Sequence, residues 1–189
     1  MTIDLESWAA EWSSDLGPAL EQAMAAVAAQ RRPGEIAGIG IATDADATSI
    51  VAFANSRSHL AQMIADEPEY EIDSKWHLGE WDLDITGRGV DDPLDPIRER
   101  AAQMMGQVSQ SDAASPLVQE LRLTIWQAIS RAMVASAARG YFDAWPNAVR
   151  VFLPLDADVP EQQIAAWNTG IHDSSQHEEF RGFLLLDGE

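Results

Sequence analysis

Two short apolar runs constrain this chain most: Glu35–Thr43 (EIAGIGIAT) and Ser49–Asn55 (SIVAFAN), joined by a polar, aspartate-rich turn at Thr43–Thr48. Two β-like runs joined by so short a loop pair as an antiparallel hairpin. Ile36, Ile39 and Ile41 are the inward residues of the first run, and Arg31-Arg32-Pro33-Gly34 breaks the chain ahead of it. Ala148–Leu155 (AVRVFLPL) is the clearest strand of the C-terminal half.

Helical periodicity fills most of the rest. From Ile3 to about Gln30 one stripe repeats at three- and four-residue spacing: Trp8, Trp12, Leu16, Leu20, Met24 and Val27. Asp15-Leu16-Gly17-Pro18 interrupts it, so two helices or one kinked helix are expected. Ser58 is expected to cap a helix through about Ala65, with Leu60, Met63 and Ile64 on its buried side. Tyr70–Asp84 (YEIDSKWHLGEWDLD) carries large residues in alternation, Trp76, Leu78 and Trp81, and reads as a strand or an ordered loop. Thr86–Asp92 is glycine-rich, and Pro93–Val108 is a helix fading into Gln107–Ser115, the segment expected to be mobile. Pro116 opens the longest helix, to about Arg139, with Leu117, Leu121, Ile125, Ala128 and Ala132 along one side and Leu123, Trp126 and Met133 broadening it. Short helices are expected at Pro160–Asn168 and Ser174–Leu186, the last docking Phe180, Phe183 and Leu184. The expected fold is α+β, a mainly antiparallel sheet with several packed helices. It forms a single domain over residues 1–189, with the helical segment 3–31 packed on it.

Charge narrows the function classes. Thirty-one Asp and Glu against twelve Lys and Arg leave a net charge of −19, and Lys75 is the only lysine. Such a field repels phosphate backbones and anionic lipid and attracts a basic protein. No nucleic acid and no membrane are therefore expected as partners. Zero cysteines exclude disulfides and thiolate chemistry. The N-terminus, MTIDLESWAAEW, does not read as a secretory signal, and a cytoplasmic location is expected.

Few motifs carry chemistry. Asp44 and Asp46, directly after an apolar run, resemble the first motif of the haloacid-dehalogenase phosphatases, in which one Asp attacks phosphorus, the other serves as acid/base and magnesium offsets the charge. Lys75 and Asp91-Asp92 would complete that set. A flap, a helix and the parallel alternation of that fold are missing, and Asp and Thr are ordinary turn residues. As a calcium loop the segment fails at Ser49 and Asn55. His172-Asp173 and His177-Glu178 hint at a metal cluster, but five-residue spacing spreads the histidines over different helix faces, and exposed histidines are expected. His77 with Glu80 is an acid pair with nothing to orient it. Gly38 and Gly40 form a GxG inside the strand, a weak signal alone. No metal ligands and no cofactor are expected.

The order of elements resembles a bacterial family, "domain of unknown function 4303". An amphipathic helix leads to IAGIGIATD…SIVAFAN and a short helix. Then come a W…GEW pattern at Trp76, Gly79, Glu80 and Trp81, a long helix, VFLPLD closing at Asp156, and a terminal helix after Asn168. The resemblance implies no catalytic residues, and some members accompany secreted toxins as immunity-type proteins. The expectation is a non-catalytic, immunity-type binding protein for a basic protein partner, using Trp76, Glu80, Trp81, Asp82 and Asp84. The competing expectation is a magnesium-dependent phosphatase or hydrolase using Asp44 and Asp46.

Overall fold

A computed structural model describes residues 4–85, 92–109 and 116–186. Its described elements are α1 (Leu5–Ala28), β1 (Ile36–Thr43), β2 (Ile50–Ser56), α2 (Arg57–Asp66), α3 (Glu71–Trp76), β3 (Leu83–Asp84), α4 (Asp95–Ser109), α5 (Pro116–Ala138), β4 (Val149–Pro154), α6 (Glu161–Asn168) and α7 (Ser174–Leu186). No helix among the described residues is long and apolar enough to cross a membrane.

The expected hairpin is present, with Gly40 opposite Phe53 and Thr43 opposite Ile50. The sheet order is β3-β2-β1-β4. β2 pairs antiparallel with β1 and with β3, but β4 joins β1 in parallel, with Gly40 beside Val151. The α+β class holds, and the sheet is mixed, with a parallel pairing beside the antiparallel ones. The reason is connectivity. Helices α4 and α5 intervene between the hairpin and β4, and a long helical connection can return a strand in either direction.

Alternation along β1 divides the core in two. Ile39 and Ile41 face a large cluster built with α1, α4 and α5, which includes Ile50, Ala52, Ala54 and Phe152. The opposite face carries Ala42, Val149, Val151 and Leu153 beneath Trp76, Leu78, Trp81, Phe180, Phe183 and Leu184. The GxG has its explanation on this second face. A Cβ on Gly38 would lie 2.7 Å from the Trp81 ring, and one on Gly40 would lie 2.5 Å from the Val151 carbonyl oxygen and 3.0 Å from Leu78. The strand is bare so that its cover can sit on its backbone.

Several helical expectations shift. α1 is continuous through Pro18 because its stripe, from Trp12 through Leu16 and Leu20 to Met24 and Val27, is buried on both sides of the proline. That burial offsets the lost backbone bond, and Gly17 has no Cβ to meet the proline ring. Trp8 and Trp12 stack at 5.4 Å, and Trp12 is fully buried, its indole N–H donating to the Ile97 carbonyl. In α5 the buried line is Val118, Leu121, Ile125, Ile129 and Met133, so Leu117 and Leu123 point outward, each 42% exposed. α2 is capped by Ser56, not Ser58, through a bond from the His59 N–H, and it has no fully buried residue; Leu60, Met63 and Ile64 are half-buried. Tyr70–Asp84 is mostly helical: a 3-10 turn (Pro68–Tyr70), α3, a second 3-10 turn (Leu78–Glu80) and only then the two residues of β3. Alternating bulk here reflects short turns that bury every second or third residue, a pattern a strand also produces. Gln107–Ser109 close α4 as helix, whereas 110–115 and the glycine-rich 86–91 lie outside the described residues.

Asn168 closes the outer edge of β4. Its amide oxygen accepts from the Phe152 N–H, and its amide nitrogen donates to the Phe152 carbonyl, both at 2.8 Å. One buried side chain thus stands in for a neighbouring strand and prevents an open edge.

Gly40→Ala is expected to lower stability by ~1–3 kcal/mol, because the added methyl meets backbone and not a yielding side-chain tip. Gly106→Ala, at an open position of α4, should raise it by ~0.5–1 kcal/mol. Denaturant midpoints of the two variants check both signs.

Candidate functional site

The chain between β2 and β3 folds into an arm over the glycine face of the sheet, and the outer side of this arm is the candidate site. Trp76 is fully buried and Trp81 is 7% exposed. Both belong to the core that clamps the arm down, and both indole N–H groups lack a protein partner. Trp76 and Trp81, expected in a binding role, lie inside the protein, Trp81 against Gly38 and Trp76 against His172 and Phe180.

The two aspartates that come next also act within the fold. Asp82 accepts from the backbone N–H and the hydroxyl of Ser56, both at 2.8 Å, and pairs with Arg31 at 3.7 Å. It ties the start of α2 to β3. Asp84 is half-buried in β3, opposite Phe53. Glu80 alone of the expected set is exposed and faces a groove.

That groove, of about 270 Å³, is lined by Met63, Glu67, Tyr70, Asp73, Ser74, His77 and Glu80. His59 braces one side, its ring Nε2 lying 2.8 Å from the Glu80 carbonyl. His77 packs on Gly79, where a Cβ would come within 2.9 Å of the ring, so the Gly of the W…GEW pattern seats this imidazole. Beneath lies Asn55, 1% exposed, whose amide nitrogen donates to the Ser74 carbonyl while its oxygen has no protein partner.

Around the groove the chain reads Asp66, Glu67, Pro68, Glu69, Tyr70, Glu71, Ile72, Asp73. Tyr70 is 53% exposed and Ile72 36%. None of Asp66, Glu67, Glu69, Glu71, Asp73 and Glu80 forms an ion pair among the described residues. An aromatic and a β-branched side chain thus stand exposed in an acidic stretch, of which Glu67, Asp73 and nearby Glu80 line the groove. This patch lies a few residues ahead of the one expected from the sequence. Tyr70 is one of only two tyrosines, and its acidic neighbourhood was the available signal.

The competing residues lie elsewhere. Asp44 receives the backbone N–H groups of Thr48 and Ser49 at 2.9 and 3.1 Å, shaping a turn in which Ala47 takes φ of 59°. Asp46 pairs with Arg122. Lys75 binds Glu179 at 2.6 Å, and Asp92 binds Arg98 at the same distance; Asp91 lies outside the described residues. No group of three or more His, Asp or Glu among the described residues is placed to hold a metal ion. His172 is 9% exposed, which corrects the expectation of exposed histidines; its ring lies 5.8 Å from that of His177.

If Asp82 is structural and the groove acids are not, Asp82→Ala should cost ~1–3 kcal/mol by orphaning Ser56. Glu69→Ala should stay within about 0.5 kcal/mol. Thermal or denaturant unfolding separates them.

No curated protein and no solved structure matches the chain. One family model does, described as "Domain of unknown function (DUF4303)", over residues 17–165. That span takes in the sheet, the arm and the groove, and ends before α7.

Proposed function

The chain belongs to the DUF4303 family, a premise that supplies no activity, and from its own geometry we propose a non-catalytic protein that binds a basic protein partner. The observation that carries this reading is exposed Tyr70, lining the groove with Glu67, Asp73 and Glu80, none of which forms an ion pair among the described residues, with exposed Ile72 two positions on. A net charge of −19 supports it by steering a cationic surface toward the molecule, which raises association rates and makes them salt-dependent. Tyr70 supplies contact area at little cost in side-chain freedom, and the carboxylates fix orientation.

An immunity-type inhibitor in a bacterial cytoplasm, neutralising a basic toxin, is the setting in which such a surface would serve. Tight capture of a cationic enzyme needs both fast encounter and a few well-packed anchors. A rigid arm clamped by two tryptophans supports this use, because a preorganised surface loses less entropy on binding.

The products of neighbouring genes provide the test, with association rates followed from low to high salt. A basic partner should bind more slowly as salt rises, and Tyr70→Ala should weaken the complex by about tenfold or more. Glu67→Lys should slow association with little change in dissociation. A partner whose rate ignores salt and whose affinity ignores Tyr70 overturns the reading.

A further inference from the structure

His172 occupies an unusual place in the fold, at the turn between α6 and α7. Its ring is packed at 5.2 Å from Trp76, 4.9 Å from Phe180 and 5.8 Å from His177. Neither ring nitrogen makes a hydrogen bond of normal geometry, and burial outweighs the help that the Arg150 backbone gives the charged form. The neutral ring therefore belongs to an aromatic cluster that holds α7 against α3 and the sheet.

The charged groups around it are poorly placed to receive an imidazolium. β4 contributes Arg150, and α7 contributes His177, both of which would add like charge. Asp173 offers an opposite charge, but it is exposed and occupied by the N–H of Gln176 and the hydroxyl of Ser175. Glu179 of α7 is held by Lys75 of α3 through both oxygens, at 2.6 and 2.7 Å. That ion pair and the Trp76–His172–Phe180 stack form one seam between the helices. α3 has six residues and cannot hold itself. It is also the helix that carries Glu71, Ile72 and Asp73 beside Tyr70, so the seam adds to the contacts that hold the groove in shape.

We propose that this seam is an acid-sensitive latch on the docking surface: protonation of His172 releases α7 from α3 and relaxes the groove. The latch rests on the binding reading for its purpose, though not for its existence. Burial lowers the His172 pKa from its ordinary value to about 4, with the charge of His177 adding to the effect. The depression sets the sign. Above the ordinary histidine range near 6.5 the ring is neutral whether the seam is open or closed, and the seam has its full stability. Below it the open form takes up a proton that the closed form refuses, so closure weakens as pH falls toward 4.

Hydrogen exchange of the α7 and α3 amides, corrected for intrinsic rates, tests this between pH 7 and 5. Wild-type protection should fall by about tenfold per pH unit below 6.5, and His172→Phe should abolish the slope. Equal slopes in both proteins overturn the latch. Should His172→Phe fail to fold, the imidazole resonances of the wild type decide. Ordinary titration of His172 near 6.5 with α7 protection unchanged overturns the proposal, and a ring still neutral at pH 5.5 supports it. An arginine-rich peptide added at pH 7 and 5.5 separates the two readings. Absence of binding at pH 7 sinks the docking surface and leaves the exchange result standing. Binding at pH 7 with unchanged α7 protection throughout sinks the latch alone.

Discussion

Trp81 and Leu78 reach the backbone of β1 because Gly38 and Gly40 carry no side chains there. This close seating sets the height of the arm above the sheet, and the placement of α3, α7 and the groove depends on it. With the arm down, Trp76 meets Phe180 and His172, α7 finds its bed, and the outer side of the 57–80 segment is held toward solvent. A β-branched residue at either glycine would move the cover outward and open the second core. The first core needs no such device, because Ile39 and Ile41 meet α1 and α5 through ordinary side-chain packing.

The two cores also explain how a sheet of four strands among the described residues stays ordered. Every residue of β1 is buried, so its hydrogen bonds are shielded on both faces. At the β4 edge, Asn168 supplies the missing donor and acceptor. Across the first core, the Trp126 indole N–H donates to the Thr43 hydroxyl and the Ser130 hydroxyl to the Trp167 carbonyl, at 2.9 and 2.6 Å. Polar side chains therefore appear inside chiefly where they satisfy backbone or indole groups. The His172 pocket departs from that rule, which is why a titrating group there is able to act on the packing around it.

Acidic character was legible in the sequence, and its use was less so. Aspartates near a strand end, Asp44 and Asp46, drew attention as chemistry, yet the structure gives them a turn and an ion pair. The W…GEW pattern offered candidate binding residues, but its tryptophans face inward and its glycine seats His77. Whether a tryptophan is buried depends on what lies opposite it. Here that is Gly38 for Trp81 and the His172 and Phe180 rings for Trp76, all far away in sequence, and no local pattern carries the information. Tyr70 shows the reverse: a residue of apolar body lying in an acidic run has nothing to pack against once α3 turns its Trp76 side to the core.

By itself the sequence determined the hairpin, the helical periods of α1, α5 and α7, the strand at β4 and the excess negative charge, because each is a local matter of spacing or composition. Tertiary structure alone decided that Pro18 is carried within one helix, that β4 runs parallel to β1, and that His172 is buried. It also decided which of many carboxylates surround an exposed aromatic ring. These outcomes depend on which distant surfaces meet, and the free energy of that meeting overrides the preference of any single segment.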